Sequence, residues 1–337
     1  MKRFFRLIAV FIILGLTLSN VFAEEKVEPG VTVEKGKERE KVEPGIVVEK
    51  GGILIGKGRL IFEPGFQYTH ISTQRLDITG FTVLPALVVG IIQVEKIKRD
   101  ILTPFVTLKY GITKGAELDI KVPYSIRYDE YTYGTAPNRV IKRTDESGFG
   151  DVEGALLFHI IREKGARPDV ILSIKGKSRT GKDPYGIQTE TTTGYTIPRG
   201  LPLGSGHWAV EPGLTFVKTA EPAVVFANIS YFYHMKRDVG HGIGTVDPSD
   251  SINYSLGVAY AVSDKVALST AFEQKFYNRT KVNGIKQPET NVNVASLLLG
   301  ASYAFGEKTS LSLTIGIGLT PESPDVQVSL RMPINLF

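Results

Sequence analysis

The sequence predicts an all-β protein: a transmembrane, antiparallel, up-and-down β-barrel of about 12 strands with both termini in the periplasm. Three observations predict it. Long segments alternate apolar and polar residues, an export signal opens the chain, and the final strand, DVQVSLRMPINLF, ends on the aromatic Phe337. In that strand Val326, Val328, Leu330 and Met332 alternate with Gln327, Ser329 and Arg331. A period of two puts the two sets on opposite faces. A strand left as a free edge invites aggregation, so pairing it with the first strand is its economical use.

The bulk composition allows this fold and excludes others. The chain has 337 residues, 42% hydrophobic and 22% charged, with a mean hydropathy of zero. Barrel strands average to neutral hydropathy because one face meets lipid and the other the lumen. There is no cysteine, which excludes disulfide staples, thiolate metal sites, cysteine catalysis and a lipoprotein anchor. No cofactor or metal is expected.

Residues 1–23, MKRFFRLIAVFIILGLTLSNVFA, have a basic start, an apolar core and small residues at Val21 and Ala23. The core is too short for a membrane span of roughly 20 residues, so it is expected to be a cleavable signal peptide. Losing Lys2, Arg3 and Arg6 lowers the formal charge from +5 to +2. The basic balance therefore belongs to the signal, and nucleic acid is not an expected partner. Residues 24–57 carry KVEPGVTVEKG and KVEPGIVVEKG, a duplicated, charged, Pro- and Gly-rich leader. Two copies are too few for a solenoid, so a solvated periplasmic leader is expected. A docking motif for a periplasmic partner is the alternative.

The barrel is expected over 58–337. Its first strand covers 59–72 and its second about 94–112. In the third, 116–128, Leu118, Ile120, Val122, Tyr124, Ile126 and Tyr128 share one face and Glu117, Asp119, Lys121, Ser125 and Arg127 the other. The polar face cannot enter a dry core without partners. The remaining strands are expected at 149–162, 169–178, 207–218, 223–234, 250–262, 265–278, 290–305, 309–319 and 325–337. In the eleventh, Leu311, Leu313, Ile315, Ile317 and Leu319 point outward, and Ser310, Ser312, Thr314, Gly316 and Gly318 inward. Short turns alternate with long connections at 73–93, 129–148, 179–206, 235–249 and 279–289. Short periplasmic turns and long external loops are the pattern of a barrel whose termini are both periplasmic. A soluble β-sandwich also alternates, but with strands of about five to six residues, too short for these segments. Tyr110, Tyr128, Tyr260, Tyr303 and Phe305 fall near strand ends, as interfacial girdles do.

The inward phase collects charge of both signs: Lys109, Glu117, Asp119, Lys121, Arg127, Asp151, Glu153, Lys175, Lys177, Glu211, Glu273 and Lys275, with Phe105 among them. Two readings fit, a selectivity lining or a network of ion pairs filling a narrow lumen. Phe81–Val94, FTVLPALVVGIIQV, is apolar without clean alternation. Folded over the lumen, Phe81, Leu84, Leu87 and Ile91 would make an apolar entrance; extra strand length or loop packing is the alternative. His70, His159, His207, His234 and His241 are scattered, and only Asp238 and His241, with Ser249 and Ser251 following, put acid, base and hydroxyl in one region. No nucleophile elbow or HExxH is present, so no enzyme is expected.

IFEPGFQYTHIST (61–73), LTPFVTLKYGITKGAELDIKVPYSIRY (102–128) and GFGDVEGALLFHIIRE (148–163) resemble a family of bacterial outer-membrane barrels named for a meta-pathway of phenol degradation. The most specific part is the hairpin from Tyr110 to Tyr124. The resemblance implies an outer-membrane location, with lipid, lipopolysaccharide and the barrel-assembly machinery as partners. It also implies passive passage of small, apolar or aromatic molecules. A terminal phenylalanine such as Phe337 resembles the assembly signal of such barrels. A barrel serving structural or surface-interaction roles, and more remotely an outer-membrane hydrolase, are the alternatives.

Overall fold

The computed structural model describes residues 54–337, except 79–81, 85–86, 90–91, 134–138, 193–194, 289 and 307; of 73–95 and 191–197 it describes at most the backbone. The predicted signal peptide and nearly all of the leader lie outside the described residues. The alternating segments close into a 12-position antiparallel barrel. Its strands are β1 (Leu60–Ile78), β2 (Ile92–Thr113), β3 (Ala116–Tyr133), β4 in two pieces (Val140–Phe149 and Glu153–Ile161) and β5 (Asp169–Lys177). They continue as β6 (Ala209–Ala220), β7 (Ala223–His234), β8 (Ser251–Ala261), β9 (Val266–Tyr277), β10 (Val292–Ala304) and β11 (Ser310–Gly318), then β12 in two pieces (Val326–Arg331 and Ile334–Asn335).

Each strand pairs with the next in sequence, and β12 returns to β1 in the register Gly65–Arg331 through His70–Val326. The seam continues to the last residue: the Leu60 amide donates to the Phe337 carbonyl at 2.9 Å, and the Leu336 amide to the Leu60 carbonyl at 2.9 Å. Closure leaves no open edge at the β1–β12 seam, where lipid could not satisfy one. The outer wall is apolar. Leu108, Tyr110, Ile120, Tyr128, Leu256, Tyr260, Leu268, Leu313, Ile315 and Ile317 are exposed, whereas Glu63, Thr107, Glu117, Arg127, Ser173, Thr215, Ser312 and Arg331 are buried inward. A soluble protein buries the first set and exposes the second. The inversion is that of a membrane barrel.

Three features differ from the sequence reading. The predicted long connection at 129–148 is mostly strand, because β3 runs on to Tyr133 and the first piece of β4 pairs it from Val140 to Phe149. The expected strand at 149–162 is broken at 150–152. Above the break only β3 pairs β4; below it Glu153–Ile161 joins β3 to β5. The second difference lies at the loop end. Arg237–Asp238, Thr245–Asp247, Lys281–Val282 and Ile285–Lys286, from two separate connections, form one small four-stranded sheet. Its apolar side packs Tyr185, Val239 and Val246 together with Ile243 and Val282. Third, the connection shown to fold inward is 178–208. In the apolar segment, Thr82–Leu84 and Leu87–Val89 pair as a hairpin, but Phe81 and Ile91 and the side chains of Leu84 and Leu87 lie outside the described residues.

Candidate functional site

Strand parity builds the lumen. Odd positions of β1, β2, β3, β6 and β9 and even positions of β7, β10 and β11 face inward; the first five strands put charged residues there, and β11 puts Ser310, Ser312 and Thr314 there. Two cavities of about 310 and 390 Å³ occupy the interior. Both are lined by Gln67, Lys121, Glu153, Lys177, Phe232 and Gln327, so they adjoin across these side chains. Opposite charges pair along them. Lys109 meets Glu63 at 2.9 Å, Lys177 meets Asp151 at 3.0 Å, and Lys275 meets Glu273 at 2.8 Å. Lys121–Glu153 and Lys175–Glu211 are looser, at 3.8 and 4.0 Å. Ser230 and Asn253 also donate to Glu211. Pairing offsets part of the desolvation that unpaired charges would suffer in a narrow lumen.

Between the charges runs an apolar surface. Phe105, Phe232, Tyr277 and Leu298 line the larger cavity, while Ile101, Pro123 and Leu203 line the smaller with Phe232. The Phe105 ring lies across the barrel wall at Gly65, where a Cβ would come within 2.1 Å of a ring carbon. Any larger residue at 65 would have to push this ring aside. Lys121 sits 4.8 Å above the same ring. At the turn end Val217, Phe226 and Ala271 cluster with Val224 and Leu298.

The connection 178–208 covers these cavities. Asp151, at the break in β4, anchors it: its carboxylate accepts from the amides of Gly181 (3.0 Å) and Ser205 (2.8 Å), the Ser205 hydroxyl (2.9 Å) and Lys177. Lys177 also contacts the Ser205 hydroxyl. Two stretches of the connection cross so closely that a Cβ on Gly204 would lie 2.4 Å from the Asp151 carboxylate and 2.8 Å from the Gly181 Cα. Beside this crossing, Arg99 and Arg127 both bind Asp129, with contacts of 2.7 to 3.0 Å, and Tyr131 donates to it at 2.9 Å. Arg127 uses its remaining nitrogen on the Pro202 carbonyl, 2.9 Å away. Leu201, fully buried, packs on Ile97, Tyr131 and Tyr133. At the outer side of the connection the Tyr185 hydroxyl donates to His207 Nε2 at 2.8 Å, while His207 Nδ1 donates to the Met235 carbonyl at 2.9 Å. Burial holds the His207 pKa down to about 4, with Arg237 and Lys177 adding to the effect, so the ring is neutral near pH 7. The connection is thus a plug tied to the wall by charge-assisted bonds and an apolar anchor.

Of the residues assigned to the lumen from sequence, Phe105, Lys109, Asp119, Lys121, Arg127, Asp151, Glu153, Lys175, Lys177, Glu211, Glu273 and Lys275 line the two cavities. Glu117 does not; it is buried at the turn end, where its carboxylate accepts from the Ile55 amide at 2.7 Å. Arg99 and Asp129 were missed although they share the inward parity of residues assigned on their strands; Glu63 and Arg331 were missed on strands from which none was assigned. Phe232 was missed because no residue of its strand, 223–234, carries a charge to mark the inward face. The plug residues 199–205 carry no periodic signal. The histidines are structural: His70 binds Asp100, His159 binds Asp169, and His234 donates from Nδ1 to the Ser249 carbonyl. Asp238 accepts from the Gly240 amide in a turn, and His241 is an exposed tip residue at φ 53°. Acid and base are not joined there. Among the described residues no His, Asp and Glu cluster has the arrangement of a metal site. The Phe337 ring is exposed beside the β1–β12 seam.

Comparisons with known proteins follow the geometry. Residues 49–335 match the profile of the family described as "Putative MetA-pathway of phenol degradation". Among solved structures, an outer-membrane channel from Pseudomonas putida F1 overlays with a TM-score of 0.61 at 15% identity, covering 86% of this chain and 98% of that one. The toluene transporter TbuX of Ralstonia pickettii gives 0.42 at 11% identity, covering 84% and 90%. The translocator domain of the autotransporter NalP from Neisseria meningitidis gives 0.40 at 12%, covering 83% and 88%. At 15% identity the first of these overlays speaks for the barrel fold alone.

Proposed function

Because the chain belongs to that family of outer-membrane barrels, we propose that it is a channel through which small apolar or aromatic molecules diffuse passively. One observation carries this: an apolar surface of Phe105, Phe232, Tyr277 and Leu298 runs through a lumen whose charges are largely paired. Paired charge gives no strong preference for ions of either sign, while the rings offer an uncharged solute stacking and dispersion contacts. A wide aqueous pore belongs to barrels of 16–18 strands, not 12. In this reading the signal peptide is cleaved after Ala23, the loop end faces outward, and both termini and the short turns face the periplasm. The strand ending in Phe337 is the segment that the assembly machinery recognises. A channel role agrees with the Pseudomonas putida neighbour, itself an outer-membrane channel.

The test uses cells with an intact lipopolysaccharide leaflet, because apolar solutes cross plain phospholipid unaided. Expression should raise the initial uptake rate of an uncharged monoaromatic above that of vector-bearing cells. Phe232→Lys should remove most of the gain while leaving the barrel folded. Uptake equal to vector cells would count against the channel. The four-stranded rim sheet would then favour a surface-interaction role.

A further inference from the structure

We propose a binding site for the phosphate of an outer-leaflet glycolipid, of the lipid A kind, on the outer wall above strands β8, β9 and β10. It rests on the placement of the loop end at the cell surface. A basin of about 490 Å³ opens there, lined by Asp247, Asp250, Arg279, Lys281, Lys286 and Asn291 among others. Its charge is unusual for a small hairpin. Lys281 and Lys286 are direct cross-strand partners in Lys281–Val282 and Ile285–Lys286. Like charges directly opposite one another destabilise a strand pair. Asp247, the partner of Lys281 on its other side, relieves only one of them, at 3.2 Å. Lys286 has no carboxylate partner among the described residues. Arg279 is exposed and spends one nitrogen on Asn291 at 3.3 Å. Both Asp250 oxygens are committed, one to the Tyr231 hydroxyl at 2.9 Å and one to the His234 amide at 3.0 Å. Those donors are neutral, so Asp250 keeps its charge, and three cations against two carboxylates leave the basin net positive by one. Lys286 and Arg279 are the cations that no carboxylate among the described residues pairs, and a phosphate would engage them.

The surroundings select a lipid over a soluble anion. Tyr231, whose hydroxyl holds Asp250, belongs to the outward aromatic set. Two residues along their strands from Asp250 and Asn278 lie Ile252 and Phe276, on the same outward face and exposed at 48% and 45%. An amphiphile can lay acyl chains on Ile252, Tyr254 and Phe276 while its phosphate enters the basin. Such a headgroup level, cations directly above an aromatic belt, is where anionic lipids are held.

The experiment is native mass spectrometry of the purified full-length barrel with bisphosphorylated lipid A, dephosphorylated lipid A or phosphatidylglycerol. Phosphorylated lipid A should be retained roughly tenfold better than the dephosphorylated form, as expected for lost charge-assisted bonds. The double variant Arg279→Gln, Lys286→Gln should abolish that difference. The control Lys164→Gln, Arg167→Gln, a like-charge pair at the turn end, should preserve it. Heat-modifiable migration establishes that each variant is folded. Retention indifferent to the phosphates, or to the double variant, would overturn the site. Equal retention of phosphatidylglycerol, lost in the double variant, would overturn the assignment to lipid A. Solute flux plays no part in this readout, so its failure leaves the channel reading standing. Surface labelling of Asn283→Cys tests the outward placement separately.

Discussion

Asp151 ties two stretches of the plug at once, with two backbone amides, a hydroxyl and an ammonium converging on its carboxylate. Asp151→Asn keeps the size but removes the charge and turns one acceptor into a donor facing those amides. Hydrogen bonds to charged groups contribute about 1.5–3 kcal/mol, and stranding Lys177 adds to the loss. The expected outcome is a barrel that still folds but shows larger and more frequent openings in single-channel recording. Gly204→Ala should do the same by steric means, since the added methyl meets both Asp151 and Gly181. Unchanged conductance in both would mean that the plug does not limit flow. His207 adds a pH dependence. Its pKa is lowered from 6.5 to about 4 in the folded plug, so between these values the released plug binds more protons than the seated one. The stabilising contribution is complete above about pH 6.5 and is lost as pH falls toward 4. Openings should therefore become more frequent on acidification through that window, and His207→Gln should flatten the response.

At the scale of a strand, β11 separates the two faces most cleanly. Leu313 is exposed on the lipid side, whereas Thr314 faces inward opposite Gly300 and Ser329. Leu313→Arg should destabilise the barrel by about 2–4 kcal/mol if the residue lies near the bilayer midplane, and Thr314→Arg should be tolerated better. Heat-modifiable migration and urea midpoints in detergent distinguish them, and equal effects would contradict the face assignment. The same alternation made most strands legible from sequence, and β7 has its expected bounds, 223–234. It failed at Val140–Phe149, VIKRTDESGF, because one face packs on the plug and the other mixes Ile141 and Phe149 with Arg143, Asp145 and Ser147, so neither reads as apolar throughout. The lumen was readable by parity once one inward residue per strand was known. Residues 199–205 were not, because a plug is specified by distant partners such as Asp151, Arg127 and Tyr131, which no local period reveals.

The whole molecule combines a lipid-facing apolar wall, a lumen of mostly compensated charge, an apolar track through it and a plug above. If this track is the route, a solute must rest against Phe105 and Phe232 beneath residues 202–205. Phe105→Ala should widen the lumen and raise ion conductance, yet lower uptake of a monoaromatic, because the ring supplies contact as well as bulk. The most direct measurement is anomalous diffraction from crystals of the barrel soaked in a bromine-substituted monoaromatic. The account predicts a bromine peak inside the barrel, in contact with Phe105 or Phe232. Peaks confined to the outer wall, at concentrations where cellular uptake saturates, would contradict it.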